Sequence, residues 1–163
     1  MESRPGITHQ HNIRVTWGDC DPARIVYTGR LPVFALDAIN GWWEKQLDGD
    51  GWFQMEVDRN VGTPFVRLEM DFRHPVTPRH DLICHVWPVH LGKTSITFRV
   101  DGEQNNNICF SSRSVNVFTV ADTFKKQVPP QELRRIVESH LALPDGGAAN
   151  MSALVDNQSS TDA

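Results

Sequence analysis

Between Trp17 and Thr28 the chain reads Trp-Gly-Asp-Cys-Asp-Pro-Ala-Arg-Ile-Val-Tyr-Thr, the stretch whose residue types and spacing offer the most chemistry. Two carboxylates, Asp19 and Asp21, stand two residues apart, with Cys20 between them and Pro22 behind. An Asp before a Pro starts a helical turn: the carboxylate caps, and the Pro takes the first helical position. Free N–H groups of such a turn favour an anion or a developing oxyanion, and Asp21 sits beside them. Other readings stay open at this point. Asp21 can be a cap and nothing more, and an Asp-x-Asp pair can hold a divalent metal on a phosphate. A hard-metal site needs further oxygen ligands, and none can be assigned. Cys20 as a thiol nucleophile runs against electrostatics, because two flanking carboxylates disfavour the thiolate.

The remaining candidates are weaker. His85 and His90 lie an odd number of residues apart on one strand, which predicts opposite faces, and with Cys84 they form no metal set. His9 and His11 make only a His-x-His pair, and no Ser-His-Asp arrangement is legible. Gly92-Lys93-Thr94 is not a phosphate-binding loop, because the glycine expected five residues before Gly92 is Trp87. Lys93, Arg113 and the Arg134-Arg135 pair can each meet a phosphate or simply belong to a solvated face. Trp42, Trp43, Trp52, Phe53, Phe65 and Phe72 either line an aromatic pocket or fill the core.

The elements that must position these residues follow from periodicity. Ile13, Val15 and Trp17 alternate with polar residues and predict a strand over His11–Trp17, stopped by the turn formers of Gly18–Pro22. Leu31–Leu47 carries apolar residues at helical spacing around much of its circumference, which predicts a largely buried helix ended by Asp48-Gly49-Asp50-Gly51. Phe65–Arg73 alternates Val66, Leu68, Met70 and Phe72 with charged residues and reads as a strand. Asp81–Leu91 is a second strand with a bulge or an edge at Pro88, and Ser95–Val100 a third. Asp101-Gly102 and Asn105–Asn107 make the next hairpin loop, and Ile108–Val120 a long last strand. A C-terminal helix is expected at about Pro130–Leu141, followed from Pro144 by a polar, Gly- and Ala-rich tail expected to be disordered. The division is one domain over 1–143 and the tail over 144–163. Strand, long helix, then a run of antiparallel strands is an α+β arrangement. One helix covers only one face of such a sheet, so self-association is expected to bury the apolar remainder.

The chain has 163 residues, 39% of them apolar and 22% charged, with a net charge of −4. There is no basic field of the kind that holds nucleic acid. Three scattered cysteines without a CxxC pair predict reduced thiols in a cytoplasmic protein. No segment has the length of a signal peptide's apolar core or of a membrane span, so neither export nor a membrane is expected.

Gly18-Asp19-Cys20-Asp21-Pro22-Ala23 followed by Ile25-Val26-Tyr27, just after a strand and just before a long apolar helix, closely resembles the 4-hydroxybenzoyl-CoA thioesterase family. The likeness continues through Val61-Gly62-Thr63-Pro64 and the strands to about Val120. It implies the hotdog fold, an antiparallel sheet wrapped around a central helix, in homodimers with two active sites at the interface, or homotetramers. It implies that Asp21 is the catalytic carboxylate of an acyl-CoA thioesterase, attacking the thioester carbonyl to give an acyl-enzyme anhydride or activating a water. Thr28 stands where the family stabilises the oxyanion together with backbone N–H groups, and Asp37, Thr63 and Lys93 are the substrate-binding positions. Coenzyme A is part of the substrate, and no metal or other cofactor is implied. Asp19 then becomes a partner that fixes the loop. Three departures stand out: Arg24 replaces a usual Gly, Thr28 replaces a Tyr or other aromatic, and Leu36 occupies the gapless position of the helix acid, with Asp37 next to it. The expectation is hydrolysis of an aromatic or bulky acyl-CoA. The alternatives are a thioesterase for short aliphatic or carrier-protein-bound acyl groups and a non-catalytic acyl-CoA binder. A hydratase of this fold would want a His on the helix, and Leu31–Leu47 has none.

Overall fold

A computed structural model describes residues 4–6 and 8–141. Five strands form one antiparallel sheet: β1 (His9–Ile13), β3 (Phe65–Phe72), β4 (Leu82–Leu91), β5 (Ser95–Gln104) and β6 (Asn107–Val117), in the order β1-β4-β5-β6-β3. The long helix α1 (Arg30–Gln46) lies across one face of it, and a short pair, β2 (Val61–Gly62) with β7 (Thr119–Val120), joins at one end. Two shorter helices, α2 (Trp52–Val57) and α3 (Gln131–His140), complete the architecture. This is the expected α+β hotdog arrangement. The tail expected from residue 144 onward lies outside the described residues.

α1 buries Leu31, Phe34, Ala35, Ala38, Ile39, Trp42 and Trp43 against Cys84, Val86, Ile96, Phe98 and Val100 of the sheet. Trp42 sits edge-on to Trp43 and Phe98 at centroid distances of 4.8 and 5.1 Å, so these two tryptophans belong to the core. Glycine allows close approach at two places, one between α1 and β1 and one within the sheet between β5 and β6. A Cβ on Gly41 would stand 2.3 Å from the Nδ1 atom of His11, and one on Gly102 would stand 2.3 Å from the ring of Phe110. α1 rests mainly on β1, β4 and β5, away from the edge strand β3. Much of the apolar stripe of β3 is therefore left exposed: Val66 is 62%, Leu68 38% and Phe72 53% exposed, while Met70 packs against the core.

Several boundaries differ from expectation for identifiable reasons. β1 stops at Ile13, because Thr16 donates its backbone N–H (2.8 Å) and hydroxyl (2.7 Å) to Asp19 and winds Trp17–Asp19 into a 3-10 turn. β5 runs on through Asp101-Gly102, and the hairpin is closed by Asn105-Asn106 alone, with φ of 51° and 59°. Positive φ at both central residues is the two-residue turn that matches strand twist, and Asn tolerates it. The long last strand breaks at buried Phe118, after which β7 turns to pair with β2. At Pro88 the strand carries a bulge, and the extra residue returns His90 to the face of His85: they pair with Thr97 and Asp101 of β5. The opposite-face expectation for these two histidines is corrected accordingly.

Candidate active site

The segment from Cys20 to Val26 folds as a tight loop rather than a helical turn. Asp21 N–H donates to Ile25 C=O (3.0 Å), Arg24 N–H to Asp21 C=O (2.9 Å), and Cys20 and Val26 form an isolated antiparallel bridge. Val26 then fastens the loop to the connection between β3 and β4 through its N–H on Val76 C=O at 2.8 Å. Pro22 fixes the turn that carries Asp21. One carboxylate oxygen, Oδ1, accepts the Ala23 N–H at 2.8 Å, and Oδ2 has no partner among the described residues. Asp21 is thus both a local cap and a carboxylate with one oxygen free. Arg24 has a φ of 66°, the left-handed conformation that glycine adopts without cost, so the loop keeps a glycine's shape although the residue has changed. Its side chain is exposed.

Asp19 holds this loop from beneath. It is buried and takes three bonds besides the hydroxyl of Thr16: the Thr16 N–H, Arg30 Nε at 3.0 Å and Arg30 Nη2 at 2.8 Å. These donors, the Thr16 hydroxyl foremost, hold its carboxyl below the ordinary value, against burial pushing the other way. Arg30, the first residue of α1, also lies over the Phe34 ring at 5.4 Å. Its role was not legible in the sequence; an Arg eleven residues from an Asp carries no local signal. The clamp ties the Asp21 loop to the start of α1.

Beyond the loop, Tyr27 and Thr28 lend their carbonyls to Arg30 and Leu31, the first N–H groups of α1, and Pro32 has none to give. The backbone N–H groups of Thr28 and Gly29 donate to no acceptor among the described residues. The free backbone N–H groups of this segment therefore lie at the approach to the helix, not in a helical turn after Pro22. Thr28 lines a cleft of about 280 Å³ with Ile25, Val26, Leu31, Phe72 and Val76. The cleft opens between the start of α1 and the end of β3. No tryptophan lines it.

The other site residues are not gathered there. Asp37 is exposed on α1, and its charge helps burial push the thiol of Cys84, on β4, up to about 12. That places it on the β4 flank, outside the Thr28 cleft. Thr63 is buried just before β3, its carbonyl accepting Asn116 Nδ2 at 3.0 Å. Lys93 is exposed in the turn between β4 and β5, a turn braced by Arg134 Nη2, which donates to Gly92 C=O at 3.1 Å and Lys93 C=O at 3.4 Å. Arg134 is thereby committed to the fold. Thr63 and Lys93 share one end of the sheet, since Val117 N–H donates to Pro64 C=O and Phe118 N–H to Thr94 C=O. Asp21 and Thr28 lie at the other end. The strand between, β3, is eight residues long, which is about 26 Å.

Of the aromatic residues, Trp52 packs edge-on against Phe65 at 5.4 Å, and Phe53 and Phe72 are exposed. Among the described residues no group of His, Cys, Asp or Glu is arranged to hold a metal ion, and no helix is long and apolar enough to cross a membrane.

Comparison with known proteins agrees with this architecture. The family described as the thioesterase-like superfamily matches residues 15–137, and the chain belongs to it. It is a thioester hydrolase of the hotdog type. A solved structure of a thioesterase superfamily protein from Jannaschia sp. CCS1 is 57% identical, with a TM-score of 0.85 over 88% of this chain and 99% of that one. A 1,4-dihydroxy-2-naphthoyl-CoA thioesterase from Synechocystis superposes with a TM-score of 0.72 at 16% identity, over 80% of this chain and 95% of that one. A DHNA-CoA thioesterase from Staphylococcus aureus also gives 0.72, at 12% identity, over 80% and 88%. These last two likenesses speak to the fold. No curated protein matches.

Proposed function

We propose that the chain hydrolyses an aromatic or bulky acyl-CoA to the free acid and CoA, with Asp21 as the catalytic carboxylate. The observation that carries this reading is the Asp21 loop. One carboxylate oxygen is pinned by Ala23 N–H and the other is free, close in the chain to the unpaired N–H groups of Thr28 and Gly29 and an apolar cleft. The acyl group enters the cleft, and the two N–H groups, with the Thr28 hydroxyl, receive the negative charge that develops on the carbonyl oxygen. Asp21 either attacks the carbonyl carbon to form an anhydride, later opened by water, or removes a proton from the water that attacks. In both routes the tetrahedral intermediate collapses with loss of the CoA thiolate. No metal or further cofactor is needed for this chemistry. An aromatic acyl group is favoured by the absence of tryptophan from the cleft.

The working unit is a homodimer, or a tetramer built from it, paired through β3. That strand has a free edge and a largely exposed apolar stripe, an arrangement that invites another strand. Antiparallel pairing of two β3 edges about a two-fold axis sets the Asp21 end of one copy beside the Thr63 end of the other. Lys93 of that other copy then stands where it can meet a CoA phosphate. Asp37, on the far flank of the helix, contacts substrate only if the second copy leads the substrate across that flank. Three free cysteines suit a cytoplasmic protein.

Thiol release from benzoyl-, hydroxybenzoyl-, phenylacetyl- and short aliphatic CoA thioesters tests the reading. Aryl thioesters are expected to turn over fastest. Asp21→Asn, which keeps the Ala23 bond, is expected to lower kcat by about 10³-fold or more with CoA affinity retained. Wild-type rates in that variant would remove Asp21 from the mechanism. CoA binding without any turnover in the wild type would make the chain a binder.

A further inference from the structure

α1 begins with a residue of the wrong charge for its position. The N-terminal end of a helix is partially positive and is ordinarily met by an acid in the first turn or by a capping side chain. Here the first helical residue is Arg30, the first turn holds no acid, and Gly29 before it makes no side-chain cap. Helix stability therefore does not explain Arg30, and its contacts point elsewhere. Its Nε and Nη2 atoms both reach Asp19 Oδ1, at 3.0 and 2.8 Å. Its guanidinium also lies over the ring of buried Phe34. The cation is thus held between a buried carboxylate and a core ring.

These contacts make a second link across one gap. The loop that carries Asp21 leaves at Asp19 and returns at Tyr27, where Asp19 C=O accepts the Tyr27 N–H at 2.9 Å. Tyr27 C=O in turn accepts the Arg30 N–H at 2.8 Å. The backbone therefore joins loop to helix through Tyr27 alone, and the Asp19–Arg30 pair spans the same gap through side chains. Two attachments remove the rotation that one would leave. On the loop side stands Asp21 with one carboxylate oxygen unpartnered among the described residues. On the helix side stand the N–H groups of Thr28 and Gly29, also without an acceptor among those residues. The shape of the guanidinium matters too. Asp19 Oδ2 is taken by the Thr16 N–H and hydroxyl, so Arg30 sets two N–H groups on the one remaining oxygen. A planar fork holds that arrangement in one orientation, whereas an ammonium on a flexible stem does not.

We propose that Arg30 is a positioning residue of the hydrolysis: acting through Asp19, it holds the Asp21 carboxylate at a fixed setting against the Thr28 and Gly29 N–H groups. This rests on the reading of Asp21 as the catalytic carboxylate. A misplacement of about 1 Å between reacting groups costs on the order of 10²-fold in rate. Substrate affinity does not depend on that alignment and changes little.

The test compares Arg30→Met and Arg30→Lys with the wild type and Asp21→Asn. Thiol release is measured from the best aryl-CoA thioester of the panel above, under conditions where urea unfolding shows each variant fully folded. Arg30→Met is expected to lower kcat about 30- to 100-fold with KM within about threefold. Arg30→Lys keeps the charge and is expected to recover most of the stability yet leave kcat about tenfold low. NMR of the ¹⁵N-labelled protein reads the coupling without turnover: the Ala23 amide, held by Asp21 Oδ1, is expected to shift in Arg30→Met and to exchange its hydrogen faster. An unmoved Ala23 peak overturns the proposal whatever the activity. So does a kcat that follows stability in step across the two Arg30 variants. Full kcat in Arg30→Met beside an inactive Asp21→Asn overturns this proposal alone, whereas full kcat in Asp21→Asn overturns the reading of Asp21 and this one with it.

Discussion

Asp19 and Asp21 are two residues apart and have opposite fates. Asp19 spends both oxygens on Thr16 and Arg30, whereas Asp21 keeps one oxygen free. The same chemistry gives Asp19 a pH signature. Its folded pKa lies below its unfolded one, so its stabilising contribution is complete above about pH 3.9. That contribution is lost as pH falls through the lower folded value. Asp19→Asn is accordingly expected to cost about 1–3 kcal/mol near neutral pH, because the Arg30 pair and the Thr16 bonds weaken together. In acid, below the ordinary Asp range, the two proteins should converge. Urea unfolding at several pH values measures both; a difference that persists unchanged into acid would mean that packing, not the ionised carboxylate, carries the effect. The Asp21 loop was legible as chemistry because its residues are contiguous. Arg30 was not, because its importance arises only when the loop folds back on the helix start.

Among the elements, α1 was readable almost to the residue: Leu31, Ala35, Ala38 and Trp42 recur at helical spacing, and all are buried. The alternation of β3 was equally plain, but alternation says which face is apolar and not whether anything covers it. β1 was over-extended because Ile13, Val15 and Trp17 continue the pattern past the point where the Thr16–Asp19 bonds bend the chain. α2 escaped notice although Gly51 donates its N–H to Gln54 Oε1 at 3.0 Å, a local capping signal. Its other brace, Trp52 N–H on Asn40 Oδ1 at 2.7 Å, comes from α1 and has no local trace. Pro88 signalled a bulge or an edge, but only the pairing with β5 decides for the bulge and so returns His90 to the face of His85. Gly102 shows how tightly the observed register is enforced. Gly102→Ala would drive a Cβ into the Phe110 ring in the middle of the sheet, and a loss of about 1–3 kcal/mol is expected by denaturant titration. A neutral result would mean that the ring can swing aside.

At the scale of the whole molecule, the exposed stripe on β3 is the proposed seat of assembly. Leu68→Lys places a charge in the middle of it and is expected to give a folded monomer by sedimentation velocity at micromolar concentration, where the wild type is expected to sediment as a dimer or larger. Thiol release should fall with the loss of the dimer. A dimeric Leu68→Lys protein with full activity would move the interface elsewhere.

The separation of Asp21 from Thr63 by the length of β3 also has a genetic consequence. If each catalytic centre draws one of these residues from each chain, two inactive alleles can repair one another. In a mixed dimer of Asp21→Asn with a chain crippled at Thr63, both lesions fall in one centre and the other centre is intact. Random assortment makes half the dimers mixed, so about a quarter of the centres recover. Chains that each hold a complete centre would give no such rescue, and an allele pair inert alone yet active together would mark the enzyme as one whose unit of inheritance is smaller than its unit of catalysis.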